Sequence, residues 1–226
     1  MSRAESNLIR GAIFDCDGTL LDSLDAWRGL EGVLASQAGV QVKPEERKLF
    51  STFTIPEVAH YFHANYGLGA SDGEVVGFID EYMMAYYRSA SLLPGAARLL
   101  ESCEAAGVAM CVVSSSCAKY LEAGLSSSGV RGFFRAVISV EDLGTTKRQP
   151  AAFNHACELL GTEKACTWGF EDSLYAMDTL RNAGFPVVGL YSEADGVPQA
   201  EVEARANIAL PSLENLAVRA GRLCRC

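Results

Sequence analysis

Asp15 and Asp17 follow the apolar run Leu8 to Phe14. Residues two apart on an extended chain project to the same side, so both carboxylates can face one site. Asp-Gly at a strand end also makes ordinary turns, so the pair gains meaning only from its company. Glu171-Asp172 ends a second apolar run, Ala165 to Phe170, where acids also suit a helix N-terminus. Acids converging on one edge repel without a cation, and an all-oxygen set rich in carboxylates points to Mg2+, which keeps several waters and binds phosphate alongside. Ser114 ends a third run, Val108 to Val113, and can hold a phosphate oxygen or cap a helix within Ser114-Ser115-Ser116. Lys147 lies in the polar loop after a fourth, Ala136 to Val140; alone it reads as a solvated surface charge. Each signal follows a different expected strand, so all can meet at one edge of a sheet.

The elements that must position these groups are legible as short apolar, β-rich runs alternating with helical patterns. Besides the four runs above, Pro186 to Tyr191 reads as a strand. Helices are expected over Ala96 to Ala106, Ala118 to Ser127, Pro150 to Leu160 and Tyr175 to Ala183, with glycine closely following three of them. The pattern predicts an α/β fold with a doubly wound, mostly parallel, Rossmann-like sheet. Between the first two strands, residues 22–93 read as entirely helical, with capping boxes at Thr54/Glu57 and Ser71/Glu74. The expected organisation is an α/β catalytic domain, residues 1–21 and 94–226, with an inserted all-helical cap domain over 22–93 that ends at Pro94-Gly95.

Several chemistries are excluded or disfavoured. A calcium loop starting at Asp15 needs glutamate at its twelfth position, which is Ala26. His60 and His63 share an expected helix but have no third ligand at metal spacing, so packing or exposure is expected. The chain has neither a G-x-x-x-x-G-K-S/T loop nor a G-x-S-x-G elbow. A formal charge of -9 disfavours nucleic acid as a partner, while a bound cation and one or two basic groups still permit a small anionic substrate. No apolar run approaches the roughly 20 residues of a bilayer span, and Met1 to Arg10 lacks a signal-peptide centre, so no membrane partner and a cytoplasmic location are expected. Eight cysteines in a chain of 226 residues, several in apolar runs, read as reduced and mostly buried thiols, with Cys224 and Cys226 in a frayed tail.

The sequence resembles the haloacid dehalogenase superfamily of phosphatases and phosphomutases over nearly its whole length. FDCDGTLLDS from Phe14 is similar to the first motif, VVSSS from Val112 to the second, KRQPAAF from Lys147 to the third and GFEDS from Gly169 to the fourth. The subgroup most resembled contains β-phosphoglucomutase and phosphoglycolate phosphatase. Two positions depart from it: Arg148 where proline is common and Ala176 where glycine is usual.

The resemblance implies a Mg2+-dependent phosphatase acting on a small phosphorylated metabolite. Asp15 is then the nucleophile, Asp17 the general acid and base, and Cys16 packing. Gly18, Ser114, Ser115 and Lys147 bind phosphate, Ser114 and Lys147 being counted with the catalytic set, and Mg2+ is held by Asp15, Glu171, Asp172 and the carbonyl of Asp17. A mobile cap is implied, hinged near Leu21 to Ser23 and Ser91 to Gly95, on a monomer or weak homodimer. The alternatives are a sugar phosphomutase and a phosphate-binding module without catalysis. Mutases of the subgroup carry histidine about where Trp27 stands, which favours hydrolysis. A dehalogenase has no use for a leaving-group acid at Asp17, and the Schiff-base lysine of a phosphonate hydrolase has poor candidates in Lys43 and Lys48. Specificity is expected from cap residues around Thr52 to Pro56. Ten acids and five bases over residues 22–93 do not suit a highly phosphorylated substrate.

Overall fold

The computed structural model describes residues 7–50 and 53–225, apart from the side chains of Lys48 and Leu49. Thr52, Cys226, the Lys48 side chain and most of the segment from Met1 to Arg10 therefore lie outside the described residues. The chain divides into two compact units, Ser23–Ser89 and Met1–Asp22 with Ala90–Cys226.

The first unit is helical: α1 (Leu24–Ala38), α2 (Pro44–Phe50), α3 (Ile55–Tyr66) and α4 (Asp72–Ser89). In α4, Val75, Ile79, Met83 and Tyr87 recur every fourth residue and are all buried, so one apolar stripe faces inward. The Thr54 backbone N–H donates to Glu57 Oε2 at 2.7 Å, closing the expected box at the start of α3. At α4 only half of the second box forms. The Glu74 N–H donates to Ser71 Oγ at 3.2 Å, but the Glu74 carboxylate accepts from the Ala70 N–H at 2.6 Å, one residue beyond the expected partner. His60 Nδ1 lies 2.9 Å from Asp72 Oδ2 and His63 Nδ1 3.0 Å from Leu68 O, so the two rings serve different local partners.

The second unit carries a six-stranded parallel sheet of β1 (Gly11–Phe14), β2 (Ala109–Ser114), β3 (Ala136–Ser139), β4 (Thr167–Glu171), β5 (Val187–Leu190) and β6 (Ile208–Leu210), in the order β3-β2-β1-β4-β5-β6. Its helices are α5 (Ala96–Ala105), α6 (Ala118–Ser127), α7 (Ala151–Leu160), α8 (Leu174–Asn182) and α9 (Gln199–Glu203). Ile13, Cys111 and Val113 pack with Phe153 and Leu160 of α7 and with Met177 and Leu180 of α8. Their strand neighbours of opposite parity, Ala12, Phe14, Met110 and Val112, are equally buried. Both faces are covered, which is why these strands are continuous apolar runs rather than alternating ones.

Residues Ala90 to Leu93 belong to this unit, not to the helices. The Asp22 N–H donates to Ser91 O at 2.9 Å and the Leu93 N–H to Leu20 O at 2.8 Å, so the two connecting segments pair with each other. The return to the α/β unit thus falls four residues before Pro94. Gly95 follows with φ 86°, and a Cβ there would lie 2.3 Å from the backbone N of Glu214, which no L side chain tolerates.

Three elements were not expected: α9, the three-residue β6, and an antiparallel hairpin of β7 (Leu216–Arg219) and β8 (Arg222–Arg225). Cys224 is consequently not in a frayed tail; it pairs with Ala217 across that hairpin. Burial of Leu216, Val218 and Leu223, together with a 3.0 Å bond from the Val218 N–H to Ser102 Oγ of α5, holds the segment in place. The described cysteines are all free thiols. No helix among the described residues is long and apolar enough to cross a membrane.

Candidate active site

Strand order reverses between β1 and β4, and in open α/β sheets ligands bind beyond the carboxyl ends of strands at such a switch point. Pairing Phe14 with Phe170, and bonding the Asp15 N–H to Phe170 O at 2.9 Å, sets Asp15 beside Glu171. A tight turn follows. Cys16 O accepts from the N–H groups of Leu20 and Leu21 at 2.8 and 2.9 Å, and Gly18, at φ 77°, donates its N–H to Leu21 O at 3.0 Å. This turn brings the Asp17 carboxylate to the end of β2. Ser116 Oγ donates to Asp17 Oδ2 at 2.6 Å and Ser114 Oγ to the same oxygen at 3.3 Å.

Lys147 is not the solvated charge it resembles in isolation: it is 2% exposed. Its Nζ donates to Asp15 Oδ1 at 2.5 Å and to Glu171 Oε1 at 2.6 Å. The adjoining Ser173 fixes the last two acids, its N–H donating to Glu171 Oε2 at 3.2 Å and its Oγ to Asp172 Oδ1 at 3.2 Å. Oxygens of Asp15, Glu171 and Asp172 all lie within 4.8 Å of one another, the one group of metal-ligand type found among the described residues.

Crowding these charges away from water perturbs them. Burial raises Asp15; Lys147 opposes the rise and Asp17 adds to it. Burial first, then Asp15, push Glu171 up to about 7 against the pull of Lys147. Burial, Asp15 and Glu171 push Asp172 up to about 8. Burial works to lower Lys147, yet Asp15 and Glu171 together hold it well above its ordinary value, so it stays charged. Three mutually repelling carboxylates are faced by one lysine, and a further cation would neutralise the charge that remains. A hard divalent ion with oxygen ligands fits this donor set, and Mg2+ is the biological ion that such a set suits.

Asp15, Asp17, Ser114, Lys147, Glu171 and Asp172 are thus brought together. Ser115 is exposed, whereas Ser116 is buried against Asp17. Sequence reasoning passed over Ser116, although alternation from Ser114 selects it: residues two apart share a side. None of the three serines caps a helix, because α6 begins at Ala118 with Cys117 as its N-cap. Cys16 is fully buried and its thiol is held far above the ordinary range by burial and the flanking aspartates, as a packing residue requires.

A doubly wound parallel sheet with acids, a lysine and serines converging at its switch point is the site of an enzyme that handles an anionic group. Residues 12–190 match the family described as haloacid dehalogenase-like hydrolase, and the chain belongs to it. It is an enzyme of the phosphoric monoester hydrolase type within that family. Among curated relatives, it is 28% identical to hexitol phosphatase B of Escherichia coli O157:H7, covering 93% of this chain and 96% of that one. It is 24% identical to protein CbbY of Rhodobacter capsulatus, over 91% and 99% of the two chains. The crystal structure of CbbY from Rhodobacter sphaeroides in complex with phosphate has the same fold, with a TM-score of 0.74 at 21% identity, covering 95% and 99%.

Proposed function

We propose that this chain is a Mg2+-dependent phosphatase that hydrolyses a small phosphate monoester, a sugar phosphate, phosphoglycolate or a similar metabolite, through an aspartyl phosphate. The observation that carries the reading is the cluster of Asp15, Glu171 and Asp172 joined by Lys147 beside the Asp17–Ser116 pair. A hexitol phosphatase among the relatives, and a structure of the same fold containing phosphate, agree with it.

In this reading an Asp15 carboxylate oxygen attacks phosphorus, and the bond to the leaving oxygen breaks as Asp17 protonates it. Asp17, now ionised, takes a proton from water, whose oxygen displaces the Asp15 carboxylate from phosphorus and releases inorganic phosphate. Lys147 and Ser114, with Gly18 and Ser115 at the rim, hold the non-bridging oxygens, and Ser116 keeps the Asp17 carboxyl aimed. Mg2+ would be held by Asp15, Glu171, Asp172 and the Asp17 carbonyl, and would supply neutralisation of the negative charge gathered at the site.

Hydrolysis is favoured over transfer to a second sugar hydroxyl at the position where related mutases carry histidine. Trp27 stands there, and its Nε1 donates to Tyr87 Oη at 3.1 Å within the helical unit. The test is phosphate release from sugar phosphates, phosphoglycolate, nucleotides and p-nitrophenyl phosphate, with Mg2+ or EDTA, for the wild type and Asp15→Asn. Release that needs Mg2+ and vanishes in the variant is expected; release that survives the substitution sinks the reading.

A further inference from the structure

Lys147 must lie over β1 and β4, but the loop that carries it leaves β3, which stands two strands from β1 and three from β4. At about 4.8 Å per strand, its ammonium reaches across roughly 10–14 Å of sheet. α7, packed against β1 and β2, returns the end of the loop part of the way. Among the described residues, the backbone N–H groups of residues 141–149 bond only within the loop or to Val140 at its start. The Gly144 N–H donates to Glu141 O, the Thr145 N–H to Val140 O, the Gln149 N–H to Thr146 O, and the Arg148 N–H to Thr146 Oγ1 at 3.2 Å. Residues 141–146 are mostly exposed.

Among the described residues, side-chain hydrogen bonds, ion pairs and ring contacts tie residues 141–149 to other elements at two positions. One is Lys147 itself. The other is its neighbour Arg148, whose guanidinium lies 4.4 Å from the centroid of the Tyr175 ring in the first turn of α8. Arg148 makes no side-chain hydrogen bond or ion pair with a described residue, so this stacking is its structural contact. Tyr175 is fixed by the same strand-to-helix turn that presents Glu171 and Asp172.

We infer that Arg148 and Tyr175 form a latch that positions Lys147, pinning the far end of the β3–α7 loop to the element that bears the second pair of acids. Arg148 and Tyr175 are positioning residues, not catalytic ones. The inference rests on the reading of Lys147 as a group that the reaction needs. The latch also gives a physical role to Arg148 at a position where proline is common among relatives: a proline ring has no cation to stack.

The test compares wild type, Arg148→Ala, Tyr175→Ala, Tyr175→Phe, the Arg148→Ala/Tyr175→Ala double variant and Lys147→Met in Mg2+-dependent phosphate release, alongside amide exchange over residues 143–149 in the metal-free proteins. A surface cation–π contact holds a two-state loop by a factor of roughly two to five, which is the expected fall in kcat for each alanine variant. The double variant is expected to fall no further, and Tyr175→Phe, which keeps the ring, to match wild type. Exchange over residues 143–149 is expected to quicken in the same three alanine variants. Unchanged kcat and exchange in Arg148→Ala and Tyr175→Ala, with Lys147→Met inactive, would overturn the latch and leave the reading of Lys147 standing. Turnover surviving in Lys147→Met would overturn both, since nothing would need positioning.

Discussion

Asp17 and Ser116 are joined by a 2.6 Å bond from Ser116 Oγ, and if Asp17 is the general acid proposed above, that bond fixes the line along which it presents its proton. Ser116→Ala is expected to lower kcat roughly tenfold, the scale of a hydrogen bond to a charged group, with little change in melting temperature. An unchanged kcat would show that Asp17 needs no such support. If Asp15 is the proposed nucleophile, Asp15→Asn is expected to lower turnover by roughly three orders of magnitude or more, while circular dichroism stays that of the wild type. The acids also make stability depend on pH. Glu171 and Asp172 have folded-state values raised to about 7 and about 8, above the roughly 4 of an unfolded carboxylate. Each therefore contributes stability that is full below about pH 4 and is lost as pH rises through 7 to 8. In EDTA the melting temperature is expected to fall across that window, and Mg2+ to flatten the fall. A melting temperature independent of pH in EDTA would contradict the crowding of these carboxylates.

At the scale of elements, Gly95 carries the return of the chain to the sheet. Its φ of 86° and the 2.3 Å approach of a hypothetical Cβ to Glu214 N combine backbone strain with overpacking. Gly95→Ala is expected to destabilise the protein by about 2–5 kcal/mol in urea unfolding, and a change under about 1 kcal/mol would mean the turn relaxes freely. The central strands and the four longer helices of the α/β unit were legible because period and punctuation agree with burial. Ala118 to Ser127 is a helix as read, and Leu174–Asn182 begins one residue before its reading. β6 and the β7–β8 hairpin were not legible. β6 has three residues, and the hairpin carries Arg219, Arg222 and Arg225, so no local pattern marks them; burial of Leu216, Val218 and Leu223 does. The first three residues of the Leu8 to Phe14 reading illustrate the same limit, since the ladder proper starts only at Gly11.

For the whole molecule, the buried thiols report cooperative unfolding. Burial lifts Cys103 and Cys111 to about 12, so at pH near 8 neither offers an appreciable thiolate fraction. Alkylation of these two is expected to proceed only at the rate of global opening, with half-buried Cys117 and Cys166 labelling sooner; equal labelling rates would show that the core opens locally. The sequence by itself determined the alternation of strand and helix, the helical insert and the identity of the acids, lysine and Ser114, because each is written in local period, spacing or residue type. Only the tertiary structure decided that Ser116 rather than Ser115 meets Asp17, that Lys147 is buried between Asp15 and Glu171, that Arg148 stacks on Tyr175, and that Leu216–Arg219 and Arg222–Arg225 form a hairpin. The side-chain contacts among those outcomes join residues 24 to 132 positions apart, and no periodicity along a chain encodes which distant side chains the sheet order will bring into contact.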